Sequence, residues 1–427
     1  MTFRNVVPLF LSLLVWPAVT RAAEAAALNV DEQRIVAYVD AHGDDFVRDL
    51  AAAVQIDSAT ENLAGVKQLG ESFARDFSAL GFDARFAPLP ASTGRAGHLI
   101  AEHRGTKGKR VLLIGHLDTV FPGANYRREG DTAHGSGVAD MKGGDIVLLH
   151  ALQALASIGA LENTQIIVVF SGDEEAPGKP LADSRRELLE AAARSDLALA
   201  FESAIGKTGT IARRGSTTWE LEVQGATGHS SGMFSAAMGS GSVYETARIL
   251  QGFHDALRAM DGVTANPAMI AGGADATLTR TGGTVTGKAN IIAQRTLVRG
   301  DLRTISAEQL AEAQAKMQAI VANHLPRTSA VLKFDEGYPA MPPTEKNSAL
   351  LAQLSQVSQD LGMGEITAFD PRGRGAGDIA FVSPPLAALD GLGLGGKGEH
   401  TTNESTDLTT APELVKRAAI LIYRLTR

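Results

Sequence analysis

QIIVVFSGDEE, residues 165–175, runs a short apolar segment straight into three acids. An unbroken apolar run of this length, without polar alternation, reads as a strand buried on both faces, as in a parallel sheet covered by helices. The same layout occurs twice more. Val111–Gly115 (VLLIG) leads into His116-Leu117-Asp118, and Leu197–Phe201 (LALAF) ends at Glu202. Between the runs, Gly143–Ile158 and Leu181–Arg194 space their apolar residues as helices do. Strands alternating with helices predict a mostly parallel α/β sheet flanked by helices. Ligands of such sheets bind beyond the carboxyl ends of the strands, where these polar residues fall.

Working outward, Asp31–Leu50 and Gly65–Leu80 carry apolar residues at helical spacing. The pattern changes after Gly206. Thr217–Val223 (TTWELEV) alternates like a half-exposed strand, followed by a helix at Ser240–Leu257 and strands at Ala268–Thr284 and Arg295–Arg303. A helix at Ala307–Asn323 and a strand at Ala330–Phe334 complete a β-α-β-β-α-β order, which predicts an inserted α+β sandwich. Pro339, Pro342 and Pro343 mark a linker, and helices at Ser348–Leu361 and Ala411–Arg424 return to the first domain. The expected division is residues 26–207 and 333–427 for the catalytic domain and 208–332 for the insertion.

Composition narrows the function classes. The chain has 427 residues and a net charge of −8, without a basic run, so nucleic acid is not an expected partner. Arg4, the apolar run Val6–Val19 and Ala23-Glu24-Ala25 have the order of a secretory signal peptide, expected at residues 1–25. That run is shorter than the roughly 20 residues that span a bilayer, so no stable membrane anchor is expected after cleavage. The mature protein is expected to be exported, either periplasmic or secreted. With no cysteine present, any metal ligands must be histidines and carboxylates.

Four clusters carry candidate chemistry. His116 and Asp118 follow the first strand, where an imidazole can bind metal while a nearby carboxylate fixes its tautomer. Asp140 stands in a glycine-flanked loop (GSGVADMKGG, 135–144), a placement that also suits an N-cap. Asp173, Glu174 and Glu175 are either a solvated acidic loop or a set of acids gathered round a cation. Glu202 closes a buried run, where a lone carboxylate is costly. His400 lies in a late glycine-rich loop (GGKGEHTTNE, 395–404). Together these supply two histidines and three carboxylates for a two-metal site, with one carboxylate left over as a base.

GHLDTV, GVADMKGG, SGDEEAPG, FES and the late Glu399-His400 resemble, in this order, the co-catalytic di-zinc exopeptidases. That family includes glutamate carboxypeptidase, aminoacylase, acetylornithine deacetylase and succinyl-diaminopimelate desuccinylase, and the resemblance spans about residues 40–425. It implies two Zn2+ per subunit, with Co2+ or Mn2+ as alternatives. It implies that Asp140 bridges the ions, that His116 and Glu202 hold one, and that Glu175 and His400 hold the other. Asp118 would orient His116, Glu174 would be the general base, and the Asp140–Met141 peptide would be cis. In the insertion, His229 resembles the family histidine that enters a neighbouring subunit's active site, and Asn290 and Arg303 resemble the residues that hold a substrate carboxylate. The substrate-facing segments depart from the family pattern at Ala293, at Ser230-Ser231 and at Gly375-Ala376-Gly377-Asp378.

The resemblance implies a homodimer that hydrolyses an amide next to a free carboxylate, with a small peptide or an N-acyl amino acid as substrate. Release of a C-terminal amino acid, as by a glutamate carboxypeptidase, is the first expectation. The alternatives are an N-acyl-amino-acid deacylase or a dipeptidase, and, outside enzymes, a periplasmic peptide-binding protein on an inactivated hydrolase fold.

Overall fold

A computed structural model describes residues 28–427, so the export signal expected at residues 1–25 lies outside the described residues. Two helices, α1 (Val30–Ala41) and α2 (Gly43–Val54), stand where the pattern predicts one. The break falls at His42, which ends α1 in a non-helical conformation immediately before Gly43. Helix α3 (Leu63–Ala79) follows, then β1 (Asp83–Pro88), β2 (Gly97–His103) and β3 (Lys107–His116). Helix α4 (Lys142–Ser157), β4 (Thr164–Ser171), α5 (Leu181–Ser184), α6 (Arg186–Ala193) and β5 (Leu197–Ala200) complete the first half. The helix expected at Leu181–Arg194 is thus two short ones.

The central sheet has the order β1-β2-β4-β3-β5, closed at its far edge by Ala387–Leu389. Strands β4, β3 and β5 and the closing strand are mutually parallel, whereas β2 runs antiparallel to both β1 and β4. The sheet is therefore mixed, with its parallel part at the centre. Pairing of His116 with Ser171, and of Ile114 with Ala200, brings the carboxyl ends of β3, β4 and β5 together. Packing fixes those ends: Phe170 lies edge-on to Phe73 (5.2 Å) and Phe77 (5.7 Å) of α3, geometry that adds roughly 0.5–1.5 kcal/mol per aromatic pair. Gly144 lets α4 approach β5, since a Cβ there would fall 1.9 Å from the Phe201 carbonyl oxygen.

The insertion forms a second sheet. It contains β6 (Gly215–Gly225), α7 (Gly241–Leu257), β7 (Thr264–Gly273), β8 (Arg295–Thr304), α8 (Ala307–Val321) and β9 (Thr328–Phe334). The strand order is β7-β8-β6-β9, antiparallel throughout. Its core is its own: Trp219, Leu221, Val298 and Leu302 pack against Ile249, Phe253 and Met317 of the two helices. The strand expected at Ala268–Thr284 is instead the end of β7 plus the first strand of a hairpin, Asp275–Leu278 with Gly283–Thr286. Two linkers, paired at Arg213 with Met341 and at Ser216 with Tyr338, join the halves. Helices α9 (Glu345–Asp360) and α10 (Ala411–Leu425) then return, and α10 buries Leu414, Ala418, Leu421 and Leu425 in the first core.

Candidate metal centre

The strand ends carry the residues that the sequence nominates. His116 ends β3, Glu174 and Glu175 follow β4, Glu202 follows β5, and Asp140 sits just before α4. His400 reaches them from the loop between short strands Gly396–Lys397 and Ser405–Asp407. The Nε2 atom of His116 lies 3.2 Å from Asp140 Oδ1 and 3.8 Å from Glu202 Oε1. The Nε2 atom of His400 lies 3.0 Å from Asp140 Oδ2 and 3.3 Å from Glu175 Oε2. Each carboxylate oxygen of Asp140 thus faces one histidine, with one further carboxylate beside each. His116 also forms compact donor groups with Glu174 and Glu202, and with Asp140 and Glu175, whose ligand atoms lie within 4.8 Å of one another.

Charge in this cluster calls for cations. Burial pushes Glu202 up to about 7 even with the Arg213 guanidinium 3.6 Å away. Burial, with Glu202 and Glu175 nearby, raises Glu174 well above the usual carboxylate range. Burial also acts to raise Asp140, but hydrogen bonds from His116 and His400 outweigh it and hold it low. Hydrogen bonds to Asp140 and Glu175 raise His400 to about 11. Two histidines and three carboxylates, split by the two oxygens of Asp140, fit a pair of divalent ions.

The surrounding bonds explain how the donors are aimed. Asp140 is no helix cap: α4 has Met141 at its N-cap and no side-chain cap bond, and the Asp140–Met141 peptide is cis. Glu404 holds this loop, accepting the N–H groups of Gly137 (2.8 Å), Ala139 (2.8 Å) and Asp140 (2.9 Å). His116 Nδ1 donates to the main-chain oxygen of Asp118 at 2.9 Å, while the Asp118 carboxylate is 3.6 Å away. That carboxylate accepts the Glu174 and Glu175 N–H groups (2.9 and 3.1 Å) and the Thr60 hydroxyl (2.7 Å). Asp118 therefore steers His116 through its backbone and the Glu174–Glu175 loop through its side chain. His400 itself is held at φ 57°, a left-handed conformation costly for a side-chain-bearing residue.

Two buried arginines and the half-buried Tyr338, which the sequence reading passed over, complete the site. Arg213 binds Asp390 Oδ2 at 2.5 Å behind Glu202. Arg185 binds Asp173 Oδ1 at 2.6 Å and Asp378 Oδ1 at 2.9 Å. Asp173 thus leaves the acidic trio to serve a structural pair. Tyr338 donates its hydroxyl to the Glu174 carbonyl at 2.7 Å. Of the three residues expected from the insertion, His229 is exposed, with Nδ1 2.8 Å from Ser231 Oγ, and the main-chain carbonyl of Asn290 accepts the Ser230 N–H at 2.9 Å. Arg303 pairs with Asp301 at 2.8 Å, opposite Ser216 at the linker end of β8. Among the described residues, no hydrogen bond or ion pair ties these three to the cluster.

The sequence pattern of Peptidase family M20/M25/M40 matches residues 112–424, a span that contains every donor of the cluster. The chain belongs to this family. It is thereby a hydrolase of the metallopeptidase class. Carboxypeptidase G2 from Pseudomonas sp. (strain RS-16) is 26% identical over 394 residues, 89% of each chain. Succinyl-diaminopimelate desuccinylase from Methylobacterium sp. (strain 4-46) is 38% identical over 144 residues, 29% of this chain and 35% of that one. The solved structure of aminopeptidase PepT from Bacillus cereus ATCC 10987 matches with a TM-score of 0.70 at 17% identity, over 90% of this chain and 99% of that chain. At that identity the likeness concerns the fold.

Proposed function

We propose that this family member is a two-zinc hydrolase of amide bonds adjacent to a free carboxylate, acting as a carboxypeptidase that releases a C-terminal amino acid. The observation that carries the metal part is the division of Asp140, with Oδ1 toward His116 and Oδ2 toward His400. His116, Glu202 and Asp140 would hold one ion, and His400, Glu175 and Asp140 the other. When bound, such a pair acidifies water and polarises a carbonyl. Glu174 is the carboxylate left over. Its N–H is held by Asp118 and its carbonyl by Tyr338, so the side chain is aimed by two fixed peptide groups. It takes the proton of the attacking water and returns it to the departing amine nitrogen. The carboxypeptidase assignment draws on the similarity to carboxypeptidase G2 along 89% of both chains. The local match to a desuccinylase favours deacylation of N-acyl amino acids as the second reading.

His229 would donate to the developing oxyanion, and Asn290 and Arg303 would grip the substrate carboxylate through amide and guanidinium donors. Because, among the described residues, no hydrogen bond or ion pair ties His229 or Asn290 to the cluster of their own chain, the reading includes a homodimer in which they serve the partner. Among the described residues β7 is an edge strand with Ile270 60% exposed, and Phe234 and Tyr244 are also open to solvent, which supports this. The testing experiment is Glu174→Gln assayed against N-acyl amino acids and dipeptides, including α- and γ-glutamyl conjugates. The variant should retain its metal and lose about 10²–10⁴-fold in kcat. Parental turnover by that variant would remove Glu174 from the mechanism.

A further inference from the structure

We infer that Tyr338 is a positioning residue through which the linker of the inserted domain sets the main chain of Glu174; this rests on Glu174 as the proton carrier. Tyr338 belongs to the returning linker, where its carbonyl accepts the N–H of Ser216, at the start of β6, at 3.0 Å. Its hydroxyl lies between Arg185 Nη2 (2.5 Å) and the Glu174 carbonyl oxygen (2.7 Å). One residue therefore links the first strand of the inserted sheet, through its backbone, to the Glu174 peptide, through its side chain.

Arg185 cannot follow if the linker moves. It is 1% exposed, ion-paired to Asp173 and Asp378, and lies 5.3 Å from the Phe381 ring centroid. The Tyr338 hydroxyl accepts from this fixed donor and donates to Glu174, so a linker shift of about 1 Å takes one of the two bonds out of range. A second tether runs alongside, from the Lys179 ammonium to the Glu336 carbonyl. The seating of the domain that carries His229, Asn290 and Arg303 is thereby coupled to the aim of the base, without any contact to substrate.

Tyr338→Phe isolates the hydroxyl, because the ring keeps its edge contact with Phe381 at 5.0 Å. The variant should lose about tenfold in kcat, with KM and bound metal unchanged. A merely structural hydroxyl would instead lower the unfolding midpoint and leave kcat per folded molecule intact. Glu174→Gln is assayed beside it. An inactive Glu174→Gln with an unimpaired Tyr338→Phe overturns the positioning role alone, whereas an active Glu174→Gln overturns the base and the positioning role together. Should Tyr338→Phe not fold, Lys179→Met at the exposed tether decides. A severalfold fall in kcat at constant KM supports the coupling, and a parental kcat overturns it.

Discussion

Glu404→Gln separates the support of the metal centre from its ligands. Glu404 Oε1 accepts from Ala139 and Asp140, and Oε2 accepts from Gly137, so three peptide N–H groups of the Asp140 loop converge on one buried carboxylate. Glutamine has the same shape but turns one oxygen into a donor. If its remaining oxygen serves Ala139 and Asp140, the new NH2 meets the Gly137 N–H donor against donor. Hydrogen bonds to a charged acceptor contribute about 1.5–3 kcal/mol and an orphaned buried donor costs about 1–3 kcal/mol, so the loop loses roughly 2–4 kcal/mol. The metal-free loop can relax to recover part of that loss. The expected fall in metal affinity is therefore about 10–100-fold, the range typical of supporting residues around metal ligands. Competition against a chromophoric chelator measures it, with kcat at saturating metal as the companion reading. A Glu404→Gln variant with parental metal affinity would refute the idea that this carboxylate aims Asp140.

Three further outcomes follow from the same geometry. Chelation and dialysis should abolish turnover, and zinc, cobalt or manganese should restore it, followed by assay against metal content; full activity in protein free of measurable metal would contradict the centre. Arg213→Met strips the cation from buried Asp390 and from Glu202, and breaking a buried pair in this way should cost about 3–5 kcal/mol in denaturant unfolding of the metal-free protein. A loss below about 1 kcal/mol would show that the two acids need no counter-charge there. Ile270→Lys charges the exposed edge of β7 and should halve the mass measured by light scattering while leaving the unfolding midpoint within about 0.5 kcal/mol of parental stability. Activity should fall with the dimer, and a fully active monomer would contradict a histidine shared between subunits.

Much of the site was legible because its donors stand where local patterns end. Ile166–Phe170, Val111–Gly115 and Leu197–Phe201 are apolar runs that only a covered strand accommodates, and the polar residue after each is at the strand's carboxyl end. Strands β1 and β2 escaped the reading. Arg85 interrupts the first and Pro88 ends it, and the second carries His98 near its start and Glu102-His103 at its end, leaving only a three-residue apolar run. The break at His42 was hidden for a different reason, since apolar spacing continues through it and only the backbone changes. Partner choice was the least legible property. Nothing local marks Arg185 or Arg213 for burial, because the carboxylates that stabilise them come from 11 to 193 positions away in Asp173, Asp378, Glu202 and Asp390. Asp118 shows the same limit: its identity pointed to His116, yet only the folded chain shows that its backbone serves the histidine and its carboxylate the Glu174–Glu175 loop.

The central claim is that Asp140 stands between two ions. Anomalous diffraction at the zinc edge from crystals grown with zinc tests it most directly. The account predicts two peaks per chain on either side of the Asp140 carboxylate, one bounded by His116 and Glu202 and the other by Glu175 and His400. A single peak, or two peaks that do not share Asp140, would contradict it.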